Sequence, residues 1–282
     1  MGRLARLTVL IAVTSAVTGA IRAADIAYYV GAWNPGWYDA TQFDDVTKII
    51  ANTKGKFLDV KQFADKKEDV TAFEAWAKAN MKDNEPDVIW LNGCMPNVLY
   101  PYPNKQPDGS LAEEWLYNGN IMINVGDWFG YVSYECGGRC AENGTAGAAN
   151  ILNLAASVIG FGDNTALKKT PTATKFMPSL KDTPITFRPV AVGEVKGDWE
   201  VAAIFASNTG DEKGTQADPI VIHNKKGGGY LAIINQSANN VWIDRASACS
   251  EFINLWMKEH VEGFLAVAPA GKLATTWGRM KR

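Results

Sequence analysis

The chain has 282 residues, 47% of them hydrophobic, which suits one large globular domain or two small ones and excludes a disordered chain. Its 28 basic and 30 acidic residues give a net charge of −2 with no basic stripe, so nucleic acid is not an expected partner.

The N-terminus reads as a secretory signal. Arg3 and Arg6 form a short basic region, residues 7–17 are apolar apart from Thr8, Thr14 and Ser15, and the small residues Ala20, Ala23 and Ala24 follow. The apolar run is shorter than the roughly 20 residues that span a hydrocarbon core. Cleavage near Ala23 or Ala24 is therefore expected, and no later segment reads as a membrane span. The expectation is a secreted or periplasmic protein with a signal at 1–23, one domain at 24–262 and a C-terminal tail at 263–282.

Residues 26–31 form an apolar run ending in Gly31, the pattern of a buried strand. A helix is expected over 39–53, where Phe43, Val46, Ile49 and Ile50 recur at helical spacing before Gly55. Residues 56–63 alternate as a second strand. Asp69 opens a second helix that carries Val70, Phe73, Trp76, Ala77 and Met81 on one face. After Pro86, residues 87–91 read as a third strand, Ser110 as the cap of a short helix with Trp115 and Leu116, and residues 121–125 as a fourth strand. This alternation predicts an α/β fold with a mainly parallel sheet covered by helices on both faces.

The second half is less regular. A helix is expected over 147–159, and residues 160–180, rich in Gly, Thr, Lys and Pro, form a long excursion. Residues 199–206, 219–223 and 230–235 read as strands, the last two joined as a late antiparallel hairpin through Gly227, Gly228 and Gly229. Those glycines precede a strand rather than a helix and lack the phosphate-loop pattern, so they are a turn. A long closing helix is expected over 241–261.

An even cysteine count in an exported chain favours disulfides. Cys136 and Cys140, separated by Gly137, Gly138 and Arg139, are the best pair; Cys94 and Cys249 either pair or remain buried thiols. The C-x3-C spacing has no histidine nearby, and a zinc site needs about four ligands, so no metal is expected there.

Two segments carry a family resemblance. One is Pro86-Asp87-Val88-Ile89-Trp90-Leu91-Asn92-Gly93, followed by a helix and the apolar strand from Asn120 to Gly126. The other runs from Pro219-Ile220-Val221-Ile222-His223 through the three glycines into Tyr230-Leu231-Ala232-Ile233. Together they resemble the class I glutamine amidotransferase-like superfamily, in its trehalose-utilisation-type (ThuA-like) branch, over roughly residues 26–261. The fold expected is a flavodoxin-like three-layer sandwich with a mainly parallel central sheet and a late antiparallel hairpin.

The family's catalytic signature is missing. Where a G-x-C-x-G elbow belongs, the chain reads Val125-Gly126-Asp127-Trp128-Phe129-Gly130, and no His-Pro occurs for the family's H-P-E motif. Nucleophile and base are both required for a triad, so glutamine hydrolysis is not expected.

Ligands of open parallel sheets bind beyond the carboxyl ends of the strands. The residues there are Trp33, Asn34 and Trp37 after the first strand, Asn92 after the third, and Asp127, Trp128, Tyr131, Tyr134 and Glu135 after the fourth. Aromatic rings cover the apolar faces of a pyranose while amides and carboxylates bond its hydroxyls, so carbohydrate or another small polar ligand is the expected partner. The alternative is that these aromatics only pack loops. Asp127 and Glu135 are the candidate acid/base pair; the alternative for Asp127 is a carboxylate that caps backbone N–H groups. Two other functions stay open: a non-enzymatic protein-interaction module built on the aromatic edge, and a thiol hydrolase using Cys94 with His223 as its base. No cofactor is indicated.

Overall fold

The computed structural model describes residues 24–102, 109–133, 135, 141–238 and 241–264. The expected signal segment, Tyr134, the Cys136–Cys140 pair and the tail from 265 onward lie outside the described residues.

Four apolar runs of the first half form strands β1 (Ile26–Tyr29), β2 (Val60–Phe63), β3 (Val88–Leu91) and β4 (Ile121–Gly126). The second half adds β5 (Trp199–Ile204), β6 (Ile220–Asn224) and β7 (Tyr230–Gln236). The main sheet has the order β5-β6-β7-β4-β3-β1-β2. β7 is parallel to β4, and β5 and β6 extend the edge antiparallel. Every residue of β1, β3 and β4 is buried, as a strand covered on both faces requires. β2 lies at the edge, which explains why only its Phe63 is buried and why regular pairing begins at Val60 rather than at residue 56.

Helices α1 (Thr41–Asn52), α2 (Lys67–Asn80), α3 (Leu111–Tyr117), α4 (Thr145–Leu152), α5 (Pro171–Phe176) and α6 (Arg245–Glu251) surround the sheet. Strand side chains alternate between faces, and two cores result. Tyr28, Trp90, Ile123 and Val125 pack with Val46 and Ile49 of α1 and with Ala248, Phe252 and Trp256. Tyr29, Leu91, Met122 and Ile233 pack with Phe73 of α2, Trp115 of α3 and Ile151 of α4. The architecture is helix, sheet, helix.

Local signals set most helix ends. Ser110 accepts from the Glu113 N–H at 3.2 Å while Glu113 accepts from the Ser110 N–H at 3.0 Å, a reciprocal cap for α3. The closing helix starts at Arg245 rather than at 241, because the Asp244 carboxylate accepts the Ser247 N–H at 3.0 Å and caps it there. It continues through a π-helical stretch, Phe252–Met257, into Lys258–His260. α4 ends at Leu152, short of 159, where Asn153 takes a left-handed conformation. The excursion 160–180 contains α5 and the short strand Lys168–Lys169, which joins a second, four-stranded sheet.

Asp87 stands fully buried at the amino end of β3, accepting the Asp25 N–H at 2.5 Å. Burial pushes its carboxyl up to about 8, with Asp83, Asp25 and Glu85 adding to the rise and the Asp25 N–H opposing it. An unfolded aspartate titrates near 4. Between about pH 4 and pH 8 the folded chain therefore holds a proton that the unfolded chain has lost, and stability falls as pH rises through that window. Asp87→Asn is expected to lessen this fall, read from urea unfolding midpoints at pH 5 and pH 8; an identical pH dependence in the two proteins would contradict the assignment.

Candidate functional site

The carboxyl ends of β1, β3, β4 and β7 open onto the loops that carry the expected site residues, and a buried polar network ties those loops together. Asn92 donates to the Ala32 carbonyl and to Gln42 Oε1, the latter at 2.6 Å. Gln42 Oε1 also accepts the Gly31 N–H at 3.1 Å. Asn92 is fully buried, so its amide joins the loops after β1 and β3 and does not face a ligand.

Asp127 follows the end of β4 and is 2% exposed. One carboxylate oxygen accepts Asn34 Nδ2 at 2.7 Å and the other accepts the Trp128 N–H at 2.7 Å. Its own carbonyl accepts Asn124 Nδ2 at 2.8 Å. Glu135 accepts the Asn97 N–H at 2.9 Å and the Ser133 hydroxyl at 3.3 Å. It lines a cavity of about 340 Å³ with Asp65, Lys67, Thr71 and Asn97. The two candidate acid/base carboxylates thus accept from different partners, and Asp127 holds the backbone that presents Trp128.

The aromatic candidates meet in part. Trp128 and Tyr131 lie with ring centroids 4.6 Å apart, and Phe161 stands edge-on to Trp128 at 4.9 Å. The Arg188 guanidinium lies 4.9 Å from the Trp37 ring, 5.0 Å from Trp128 and 4.9 Å from Phe161. It also pairs with Asp163. Trp33 is half-buried against the core on the α1 side of the sheet.

Arg188 is held from behind. The Phe187 and Arg188 N–H groups donate to the Gln236 carbonyl at 3.0 and 3.2 Å, and Gln236 Nε2 donates to the Arg188 carbonyl at 2.6 Å. Gln236 in turn gives its N–H to the fully buried Asp218 carboxylate at 2.8 Å, which also accepts the Asn235 N–H at 2.7 Å and the Thr186 hydroxyl. Burial pushes the Asp218 carboxyl up to about 7 against those three donors. Trp37 is fixed through its carbonyl, which accepts Trp242 Nε1 at 3.0 Å and Arg245 Nη2 at 3.2 Å.

Sequence reasoning missed Phe161, Phe187 and Arg188, because neither the excursion that carries Phe161 nor the stretch after it that carries Phe187 and Arg188 has a clear periodicity. The one local signal is Gly160-Phe161-Gly162, an aromatic between two glycines with no helical or strand pattern to bury it. Phe161 is in fact 68% exposed.

The thiol chemistry is not assembled. Cys94 is a free, buried cysteine on the α2 side of the sheet and Cys249 a free, buried one on the α1 side, so the sheet separates them. Burial, then the nearby Asp127 charge, hold the Cys94 thiol well above its ordinary value. His223 pairs with Tyr230, which pairs with Ile121 at the amino end of β4, whereas Cys94 follows the carboxyl end of β3. The expected base therefore lies at the opposite edge of the sheet, where it bonds Glu200 at 3.0 Å.

Among the described residues, no group of three or more His, Cys, Asp or Glu is placed to hold a metal ion, and no helix is long and apolar enough to cross a membrane. No model of a known protein family matches the chain, and a search of curated proteins also gives no match.

Proposed function

We propose that the chain is an exported, secreted or periplasmic, amidotransferase-like domain without glutamine amidotransferase activity, which binds or processes carbohydrate at the carboxyl edge of its sheet. One observation carries this reading: Trp37, Trp128 and Phe161 gather 4.9–5.0 Å from a single guanidinium, beyond the strand ends where open α/β sheets hold ligands. Aromatic surface suits the apolar faces of a sugar ring, and the Arg188–Asp163 pair beside it suits the hydroxyls. Asp127 serves as a positioning residue, holding the Trp128 N–H. The order β2-β1-β3-β4-β7 supports a flavodoxin-like sandwich, and the antiparallel β6–β7 hairpin supports the amidotransferase-like resemblance. The missing elbow cysteine and H-P-E motif support the loss of glutaminase chemistry.

Calorimetric titration with neutral oligosaccharides tests the proposal. At least one is expected to bind and to raise the melting temperature by mass action, and Trp37→Ala is expected to weaken binding by about tenfold. A folded protein that binds no saccharide, or one that hydrolyses glutamine, would overturn it.

A further inference from the structure

We infer that the ligand of this edge is an acidic saccharide whose carboxylate takes the place of Asp163 on Arg188; this rests on the carbohydrate reading above and narrows it to a class. Two buried N–H donors at the site have no partner, Arg188 Nε and Trp128 Nε1. They belong to side chains whose guanidinium and ring centre are 5.0 Å apart. Both are donors only, so what satisfies them is an acceptor. The surrounding aromatic faces attract the guanidinium but offer it no lone pair along its N–H directions.

Arg188 has one strong acceptor at present beyond its own backbone. Its Nη1 donates to the Asp163 carboxylate and, at 2.6 Å, to the Phe187 carbonyl. The Asp163 side chain is 62% exposed, whereas that of Arg188 is 12% exposed. Asp163 is the exposed, loop-borne partner of a nearly buried, seated arginine, so a ligand carboxylate can take its place without unseating the guanidinium. A ligand carboxylate can instead engage Nη1 and Nη2 through two parallel N–H bonds, and a ligand oxygen beside it can accept from Nε, which Asp163 leaves unused. The seat is preformed, since Gln236 fixes residues 187 and 188 through three hydrogen bonds before any ligand arrives. The sugar ring then lies against the exposed Phe161 or the half-buried Trp37, and the acid group lies on Arg188.

The test compares digalacturonate with neutral galactobiose by calorimetry on the whole mature protein, with inorganic sulfate as a third probe. Digalacturonate is expected to bind more tightly than galactobiose. Asp163→Asn, a change on an exposed side chain, is expected to tighten digalacturonate about threefold by removing the competing carboxylate. Arg188→Gln is expected to weaken digalacturonate about tenfold and galactobiose less, about threefold at most, with melting curves showing whether the variant folds. If galactobiose binds through Trp37 but digalacturonate binds no better, or if Asp163→Asn fails to tighten it, the acidic-ligand inference is overturned and the carbohydrate reading stands. If sulfate binds and neither saccharide does, or if nothing binds, the carbohydrate reading falls and this inference with it.

Discussion

Gly93→Ala is expected to destabilise the protein by about 4 kcal/mol and to displace Asp127. Gly93 holds φ +90°, a region that L side chains avoid, and a Cβ there would stand 2.3 Å from Asp127 Cβ and 2.5 Å from Asp127 N. The close approach lets the loop after β3 lie directly on the end of β4, where Asp127 holds Trp128. Gly36→Ala separates the two costs. Gly36 has φ +86° with nothing within 4 Å of a Cβ, so that variant bears only the backbone strain, about 1 kcal/mol. Urea unfolding of both variants checks the expectation. Equal losses in the two would mean that the Gly93–Asp127 contact does not constrain the fold.

Arg245→Ala is expected to cost a similar amount, about 4 kcal/mol, through lost packing and orphaned carbonyls together. The side chain is 2% exposed, and Nη2 donates to the Ser237 carbonyl at 3.0 Å as well as to Trp37. Its guanidinium carbon lies 4.3 Å from the Tyr38 ring and 4.0 Å from the Trp242 ring. Burial lowers its pKa to about 10, so it stays charged at neutral pH. Lysine carries the charge without the planar fork or the stacking surface, so Arg245→Lys is expected to recover less than half of the loss. Both variants release one of the two bonds that hold the Trp37 carbonyl, so saccharide affinity should fall although Arg245 does not touch the ligand. Unfolding midpoints and calorimetry on the same samples check both effects; a variant as stable as the parent would remove Arg245 from the account of the site.

The parallel strands were legible because their signal is local. A strand covered on both faces is continuously apolar, and β1, β3 and β4 are so. The Ser110 cap and the late hairpin were legible for the same reason, since each depends on residues a few positions apart. The closing helix was misplaced at its start because Ile243 fits the helical pattern while Asp244, one residue later, sets the cap. Asn92 looked available after β3, but its partners Ala32 and Gln42 are 60 and 50 residues away, and nothing nearby in the chain announces them. The same distance in sequence hid Arg188, whose seat on Gln236 is 48 residues off.

By itself, the sequence determined the α/β class, the run of the parallel strands and the edge of the sheet where side chains of mixed polarity collect. Apolar periodicity and turn residues suffice for that, because each strand's burial is written in its own few residues. Only the tertiary structure decided which of those edge residues meet. It committed Asn92 to the Ala32 carbonyl and the Gln42 side chain, gave Asp127 and Glu135 different hydrogen-bond partners, set His223 at the far edge from Cys94, and brought Arg188 from the irregular second half to Trp37 and Trp128. Contacts of this kind depend on how distant loops cross over one sheet edge, and burial removes the unpaired alternatives by making each unmatched donor or charge costly.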